Sequence, residues 1–336
     1  MRTVASSLEQ ARALVVPALK EAVETLHPGN RSVCGYHLGW LDELGKETVS
    51  DSGKAVRPAL ALLSADAAGA PPETALPAAV AVELVHNFSL IHDDVMDEDR
   101  ERRHRPTAWT VFGEARAILA GDALFALAAQ VLLRSGSAHR THALGLLLDA
   151  TSELIWGQAE DLDFESRLDV SPGEVVAMSA AKTGALMSCS SAIGAVLAGA
   201  PARTTGALAS FGRHLGIAFQ AVDDLLGIWG RPQTTGKPAF NDLIQKKKSL
   251  AVVQGLSGSG PHTLQLRKIL SADEVTAEDA RRAARLLEES GARSWAERVA
   301  HEELGHALEA LHSAPMEEDA RLQLEEMARF VTERDF

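Results

Sequence analysis

Apolar residues recur at helical spacing along most of the chain. Between residues 6 and 26, Leu8, Ala11, Leu14, Val15, Ala18, Leu19 and Val23 fall near a 3.6-residue period. Pro17 within that run is expected to kink or split the helix, and Pro28-Gly29-Asn30 to end it. Residues 32–53 mix glycine with polar and aromatic residues and predict a loop with at most one short helix. The run ALALLSADAAG after Pro58 predicts a helix, Gly69–Glu73 a turn, and 75–92 a long helix. After Gly113, ARAILAGDALFALAAQVLL is apolar enough to predict a helix internal to a bundle. A further helix over 141–164 closes with Gln158, Asp161 and Asp163. Ser171 and Pro172 suit the N-cap and first position of the next helix. Ala200-Pro201 breaks the chain, and a helix over 205–229 follows. Residues 255–262, GLSGSGPH, read as a flexible loop. Beyond Ser271 the pattern is charged amphipathic helix with one apolar stripe. No strand pattern and no short repeat is present, so the predicted class is all-α.

Composition agrees. Of 336 residues 46% are hydrophobic, enough for a sizeable core in one large domain or two. Alanine is abundant and tyrosine occurs once, which favours helix over sheet. The net charge is 33 − 46 = −13, which argues against a nucleic-acid partner. Cys34 and Cys189 form no CxxC pair, so a disulfide framework and a cysteine zinc site are excluded and a reducing cytoplasm is expected. The first residues lack an apolar signal-peptide core and are broken by Glu9. No uncharged run approaches the ~20 residues that span a bilayer, so no membrane span is expected.

The helix over 75–92 runs into a dense cluster of charge. Asp93, Asp94, Asp97 and Asp99 are followed at once by Arg100, Arg102, Arg103 and Arg105. Asp93 and Asp97 are four apart and share a helix face. Like charges at that spacing destabilise a helix, and hard carboxylate oxygens suit Mg²⁺. The plain alternative is a solvated acidic face. The apolar LVHNFSLIH before the cluster argues for a site. A second pair, Asp223-Asp224, again ends an apolar run and is followed by Arg231, Lys237, Lys246, Lys247 and Lys248. If the two pairs face one another across a bundle, they make a two-sided metal cradle for a polyphosphate. Lys54 and Arg57, three apart at a helix start, can reach one anion, or are ordinary surface cations. Lys182-Thr183 lies among Ala, Gly and Ser, so its ammonium needs a partner or must snorkel outward.

In order and spacing, GKAVRP, LIHDDVMD with its arginine pair, GQAEDLD, KT, FQAVDD and GKPAFNDL with KKKSL resemble the trans-isoprenyl diphosphate synthases over about residues 50–255. The resemblance implies a single isoprenoid-synthase-like domain over 1–336. It would be an all-α bundle with a central cavity, usually a homodimer. Residues 1–50 would be an N-terminal helix and irregular segment, 51–255 the catalytic core and 256–336 the C-terminal helices. It implies ionisation of an allylic diphosphate, attack by isopentenyl diphosphate on the allyl cation, and loss of a proton to the released diphosphate, without an essential His or Glu base. It implies Mg²⁺, about three ions per site with substrate bound. On matching positions, Asp93, Asp97 and Asp223 resemble the direct metal ligands. Asp94 and Asp224 would act through water or from the outer shell. Arg102, Lys182, Thr183, Gln220 and Lys237 resemble the allylic diphosphate site. Lys54, Arg57, His86 and Arg103 resemble the isopentenyl diphosphate site. His86 is two helical turns before Asp93; its plain reading is a core histidine.

The pattern also departs from the family. Gly227 stands where the second motif often has a third Asp, His104 where a Gly often follows the arginine pair, and Trp109 where a His is common. A single Gly-Lys replaces the commoner Gly-Gly-Lys. Phe88 lies about 7.5 Å down the helix from Asp93, with Ser89 small at one turn. Together with the absence of an insertion between Asp94 and Asp97, this resembles geranylgeranyl diphosphate synthases of the archaeal type. A geranylgeranyl product is therefore expected, with farnesyl next; the alternative is that Phe88 is simply core. Two rival readings use the same residues. A terpene cyclase would need no pocket made by Lys54, Arg57, His86 and Arg103, and a catalytically silent subunit would need no intact first acid cluster.

Overall fold

A computed structural model describes residues 3–48, 53, 55–230 and 239–332. It is almost wholly helical, as the apolar period predicts. Among the described residues, strand pairing is limited to Glu101–Arg102 (β1) against Arg105–Pro106 (β2) and one isolated bridge, Leu41 with Glu47. The chain divides into two compact units: Met1–Asp149, Cys189–Ala209 and Ala314–Glu326 in one, Ala150–Ser188, Ser210–Ser313 and Met327–Phe336 in the other.

The first unit contains α1 (Val4–Glu24), α2 (Pro28–His37), α3 (Val56–Ala67), α4 (Leu76–Met96), α5 (Ala108–Phe112) and α6 (Glu114–Arg134). Pro17 does not split α1. A proline inside a helix costs about 3 kcal/mol, but Val15, Leu19 and Val23 are all buried across it, and each buried aliphatic side chain returns about 1.5–3 kcal/mol. Pro28 begins a helix rather than ending one. It occupies the first turn of α2, where its missing N–H is no loss, and His27 Nδ1 accepts from the Gly29 N–H. The irregular stretch therefore starts only after His37.

Helices α4 and α6 form the most extensive packing in the unit. Gly121 on α6 is required there, because a Cβ would overlap the His92 imidazole of α4. Helix α6 is not internal as expected. It buries Ala117, Ala120, Gly121, Leu124, Leu127, Ala128 and Leu132, but leaves Ile118, Leu119 and Leu133 43%, 57% and 49% exposed. Three helices, Pro72–Met96, Glu114–Arg134 and Pro172–Leu197, are by length and composition apolar enough to cross a membrane, where the sequence pattern suggested none. A bundle core asks for the same composition.

The second unit takes in the end of α7 (Arg140–Glu165), α8 (Pro172–Ser179), a π-helical turn Ala180–Gly184 that leads into α9 (Ala185–Leu197), and most of α10 (Ala202–Trp229). Helices Asn241–Ile244, Leu250–Leu256, Pro261–Leu270, Ala277–Glu289 and Ala292–His312 follow. Phe164, Leu225, Ile228, Leu243, Val252 and Leu287 belong to its buried core. Helix α8 starts as expected: Ser171 Oγ accepts from the Glu174 N–H, and Glu174 accepts from the Ser171 N–H. Hydrogen bonds from Ser171 and then Arg167 hold the Glu174 carboxyl down at about 2. The expected loop over 255–262 shrinks to 257–260, because both flanks are helical. Gly255 serves packing rather than flexibility: a Cβ there would lie 2.5 Å from a Leu287 methyl and 2.9 Å from one of Leu266.

Candidate active site

In the first unit, the Asp97 N–H donates to the Asp93 carbonyl at 2.8 Å, so the two side chains leave one face of α4. Both are half-buried, and Asp97 is the C-cap. A helix C-terminus carries partial negative charge, so carboxylates there are unfavourable until a cation joins them. Asp94 turns inward instead. It is 2% exposed, and its Oδ1 accepts from Arg102 Nε at 2.7 Å. Burial lifts its carboxyl to about 6 against the pull of Arg102. Its Oδ2 is buried without a hydrogen-bond partner. The oxygen-only donors, the negative helix end and this orphaned oxygen suit a hard divalent cation such as Mg²⁺.

The arginines behind the acids sit on the β1–β2 hairpin. Its two turn residues, Arg103 and His104, have φ of 53° and 59°, the left-handed geometry that two-residue hairpins require. His104 therefore occupies a conformation that glycine adopts without strain. Trp109 supports the same segment: its Nε1 donates to the Asp99 carbonyl at 2.8 Å, and the Arg100 guanidinium lies 5.6 Å from its ring centroid.

The turn aims Arg103 at Gly53. A Cβ on Gly53, whose φ is 91°, would lie 2.8 Å from Arg103 Nη2. Arg12 of α1 donates to the Gly53 carbonyl. Lys54 itself lies outside the described residues. Arg57 Nη1 is 3.3 Å from His86 Nε2, so two residues assigned to one substrate meet. Burial first, then Arg57 and Arg103, push His86 well below its ordinary pKa. A guanidinium only donates, so His86 Nε2 accepts and Nδ1 carries the proton. Burial and Arg102 likewise lower His37 to about 3.

Sequence reasoning missed Glu83. It lies one turn before Asn87, which donates to it at 3.0 Å. Burial raises its carboxyl, opposed by Asn87, Arg57 and Arg103. A pocket lined by Tyr36, His37, Asp94, Arg102, Arg103 and Arg105 adjoins these groups. Neutral imidazoles beside fixed guanidiniums form a surface that attracts an anion and offers it no mobile proton source.

In the second unit, Asp223 is exposed on α10 and Asp224 is buried. Thr183 Oγ1 donates to Gln220 Oε1, Gln220 Nε2 to Asp224 Oδ1, and the Leu250 N–H to Asp224 Oδ2, each at 2.8 Å. Thr183, Gln220 and Asp224 thus form one chain of hydrogen bonds, which ends on the first residue of helix Leu250–Leu256. Burial raises Asp224 to about 7, although the bonds from Leu250 and Gln220 oppose it.

Lys182 has its partner: Nζ is 2.6 Å from Asp161 Oδ2. Gly157 allows this approach, since a Cβ there would lie 2.7 Å from Lys182 Cα. Both amide atoms of the neighbouring Gln158 are buried without a hydrogen-bond partner. The acids in GQAEDLD were the available signal for Asp161. Asp242, also missed, packs its carboxylate against Gly227. Arg231 and Lys237 lie outside the described residues.

A profile of the family described as Polyprenyl synthetase matches residues 39–287. A (2E,6E)-farnesyl diphosphate synthase of Mycobacterium tuberculosis is 46% identical over 96% of this chain and 91% of its own. A geranylgeranyl diphosphate synthase of the same species is 42% identical over 91% and 88%. The crystal structure of a polyprenyl synthetase from Streptomyces coelicolor superposes with a TM-score of 0.94 at 49% identity, covering 98% of this chain and 99% of that one. On the strength of its matched length, its identities and its all-helical fold, the chain belongs to the polyprenyl synthetase family.

Proposed function

We propose that this prenyltransferase joins isopentenyl diphosphate head to tail to an allylic diphosphate and releases a short trans-prenyl diphosphate, geranylgeranyl diphosphate. The observation that carries the reading is the grouping in the first unit. Asp93 and Asp97 share one face of α4, Asp94 is held by Arg102, and Arg57 meets His86.

Mg²⁺, held by Asp93, Asp97 and Asp223, would supply the positive charge that lets an allylic diphosphate depart. Arg102, Lys182, Thr183, Gln220 and Lys237 would orient that diphosphate. Lys54, Arg57, His86 and Arg103 would grip the isopentenyl diphosphate. Because His86 is neutral and accepts from Arg57, it presents an N–H at Nδ1 and takes up no proton from substrate. Asp94 and Asp224 act as positioning residues, the first for Arg102 and the second for Gln220.

Product length is read from Phe88. Its ring lies 5.4 Å from that of Phe125 and 4.9 Å from that of His92, and the Phe88 and Phe125 rings together would form the floor below Asp93. The 46% identity to farnesyl diphosphate synthases favours a second reading, a farnesyl product. Exposed Ile118, Leu119 and Leu133 on α6, with Leu148, Ile155 and Trp156 on α7, support a homodimer. Buried free Cys34 and Cys189 fit a cytoplasmic enzyme.

The test is incubation with Mg²⁺, isopentenyl diphosphate and each of dimethylallyl, geranyl and farnesyl diphosphate, followed by chromatography of the dephosphorylated products. Geranylgeraniol is expected, and Asp93→Ala should abolish turnover. A cyclic hydrocarbon formed from one allylic diphosphate alone would replace this reading with a cyclase.

A further inference from the structure

The second unit holds a group of side chains that prenyl transfer leaves unused. His214 comes from α10, and Glu303 and His306 come from helix Ala292–His312. Glu303 and His306 are three apart and therefore neighbours on one helix face. One donor atom of each of the three residues lies within 4.8 Å of the other two. His214 Nδ1 is 2.6 Å from Glu303 Oε2, with the two side chains 32% and 18% exposed. The His214 and His306 rings are 5.3 Å apart at 57°, and His306 is exposed.

A His–Glu hydrogen bond accounts for one imidazole but not for the second at the same carboxylate. Two imidazoles and a carboxylate are a donor set for a late first-row cation. They suit Zn²⁺, whereas Mg²⁺ prefers oxygen alone. Donors about 2.0–2.2 Å from a tetrahedral Zn²⁺ lie roughly 3.3–3.5 Å from one another. The 2.6 Å His214–Glu303 pair must therefore open by somewhat under 1 Å to admit the ion, while the donors, which span up to 4.8 Å, close by at most about 1 Å elsewhere. Rotation of the exposed His306 side chain provides the latter at little cost.

We propose that His214, Glu303 and His306 form a Zn²⁺ site, completed by water and separate from the carboxylate centre used for prenyl transfer. His214 precedes Asp223 by nine residues on α10, or about 13.5 Å along the axis, so the two centres do not share ligands. An occupied site ties α10 to helix Ala292–His312 within the second unit. It thereby steadies the helix that carries Asp223-Asp224. The proposal stands whether or not the product reading above is correct.

The experiment uses the untagged full chain, stripped with EDTA and returned to excess Mg²⁺ so that the oxygen ligands are saturated. Zn²⁺ is then titrated against a chromogenic chelator. One Zn²⁺ per chain is expected, with affinity falling at least about tenfold in His306→Ala and in His214→Ala, and unchanged in Asp93→Ala. Zn²⁺ at about a hundred times its Kd should raise Tm by roughly 3–8 °C in the parent and not in His306→Ala. Co²⁺ should give a tetrahedral visible spectrum that His306→Ala lacks. Because His306 is exposed, that variant should fold even if His214→Ala does not. Equal Zn²⁺ affinity in the parent and His306→Ala, or loss of the binding in Asp93→Ala, overturns the proposal.

Discussion

The carboxylate of Asp242 lies against Gly227 so closely that a side chain at position 227 fits only if Asp242 moves: a Cβ there would overlap it. Gly227 lies where the second acidic motif of the family often has a third Asp. Here an acid reaches the same place from another helix, Asn241–Ile244. The left-handed Phe240, with φ 63°, precedes that helix. The sequence alone shows a missing acid, whereas the fold shows a carboxylate from another helix packed against the glycine in its place.

Restoring the family residue should therefore harm this chain. Gly227→Asp forces overlap and adds a like charge beside buried Asp242, so a loss of about 1–3 kcal/mol in urea unfolding is expected. The exchange Gly227→Asp with Asp242→Gly should recover most of it, because the coupling between neighbours is what a double-mutant cycle measures. A Gly227→Asp chain as stable as the parent would sink the idea.

Phe88 should set product length through its contact with Phe125. Phe88→Ala opens the floor, and longer prenyl alcohols should appear after dephosphorylation. Loss of a buried ring costs about 3–5 kcal/mol, so Phe88→Leu provides a milder companion with a smaller shift. Phe125→Ala should extend the product further in the Phe88→Ala background. An identical product distribution in all three variants would assign Phe88 to the core alone.

What could be read from the sequence follows from local rules. The Ser171 cap and the Asp93/Asp97 helix face depend on neighbours three or four residues away, and both appear as expected. The misses depend on distant partners. Pro17 is tolerated because burial on both sides outweighs a lost bond. Gly255 looks like a loop residue until Leu287 and Leu266 are seen against it. Apolarity marks α6 correctly as a helix but does not tell its core face from its exposed one. The partner of Lys182 lies 21 residues back on α7, a distance that helical periodicity does not reach.

His104 offers a stability test of the arginine hairpin. A non-glycine residue in the left-handed region costs about 1–2 kcal/mol, and His104 has φ 59°. His104→Gly should therefore raise unfolding stability by up to about 1 kcal/mol in urea melts, since glycine's greater unfolded-state freedom offsets part of the relief. The turn, and with it Arg103, should hold its place, so KM for isopentenyl diphosphate should stay within about twofold. A destabilised variant would mean that the imidazole contributes contacts that outweigh the strain.

Asp224 gives the metal-free protein a pH dependence whose sign is fixed by burial. Its folded-state pKa of about 7 lies above the 3.8 of an ordinary Asp. Between those values the folded state binds the extra proton, so its contribution to stability is full below about pH 4 and is lost as pH rises through about 7. Asp94, raised to about 6, adds a loss in the same direction. Lowered His37 and His86 act in the opposite direction below about pH 6.5, so the expected signature is a difference: urea midpoints of the parent in EDTA should fall relative to those of Asp224→Asn between about pH 5 and 7. Asp224→Asn removes that one titration, even though replacing the acceptor of the Leu250 N–H and Gln220 bonds lowers stability at every pH. Added Mg²⁺ favours ionised carboxylates nearby and should restore stability most at the alkaline end. A variant whose midpoints track the parent's across the whole range would show that Asp224 is ionised throughout, and that its hydrogen bonds outweigh its burial.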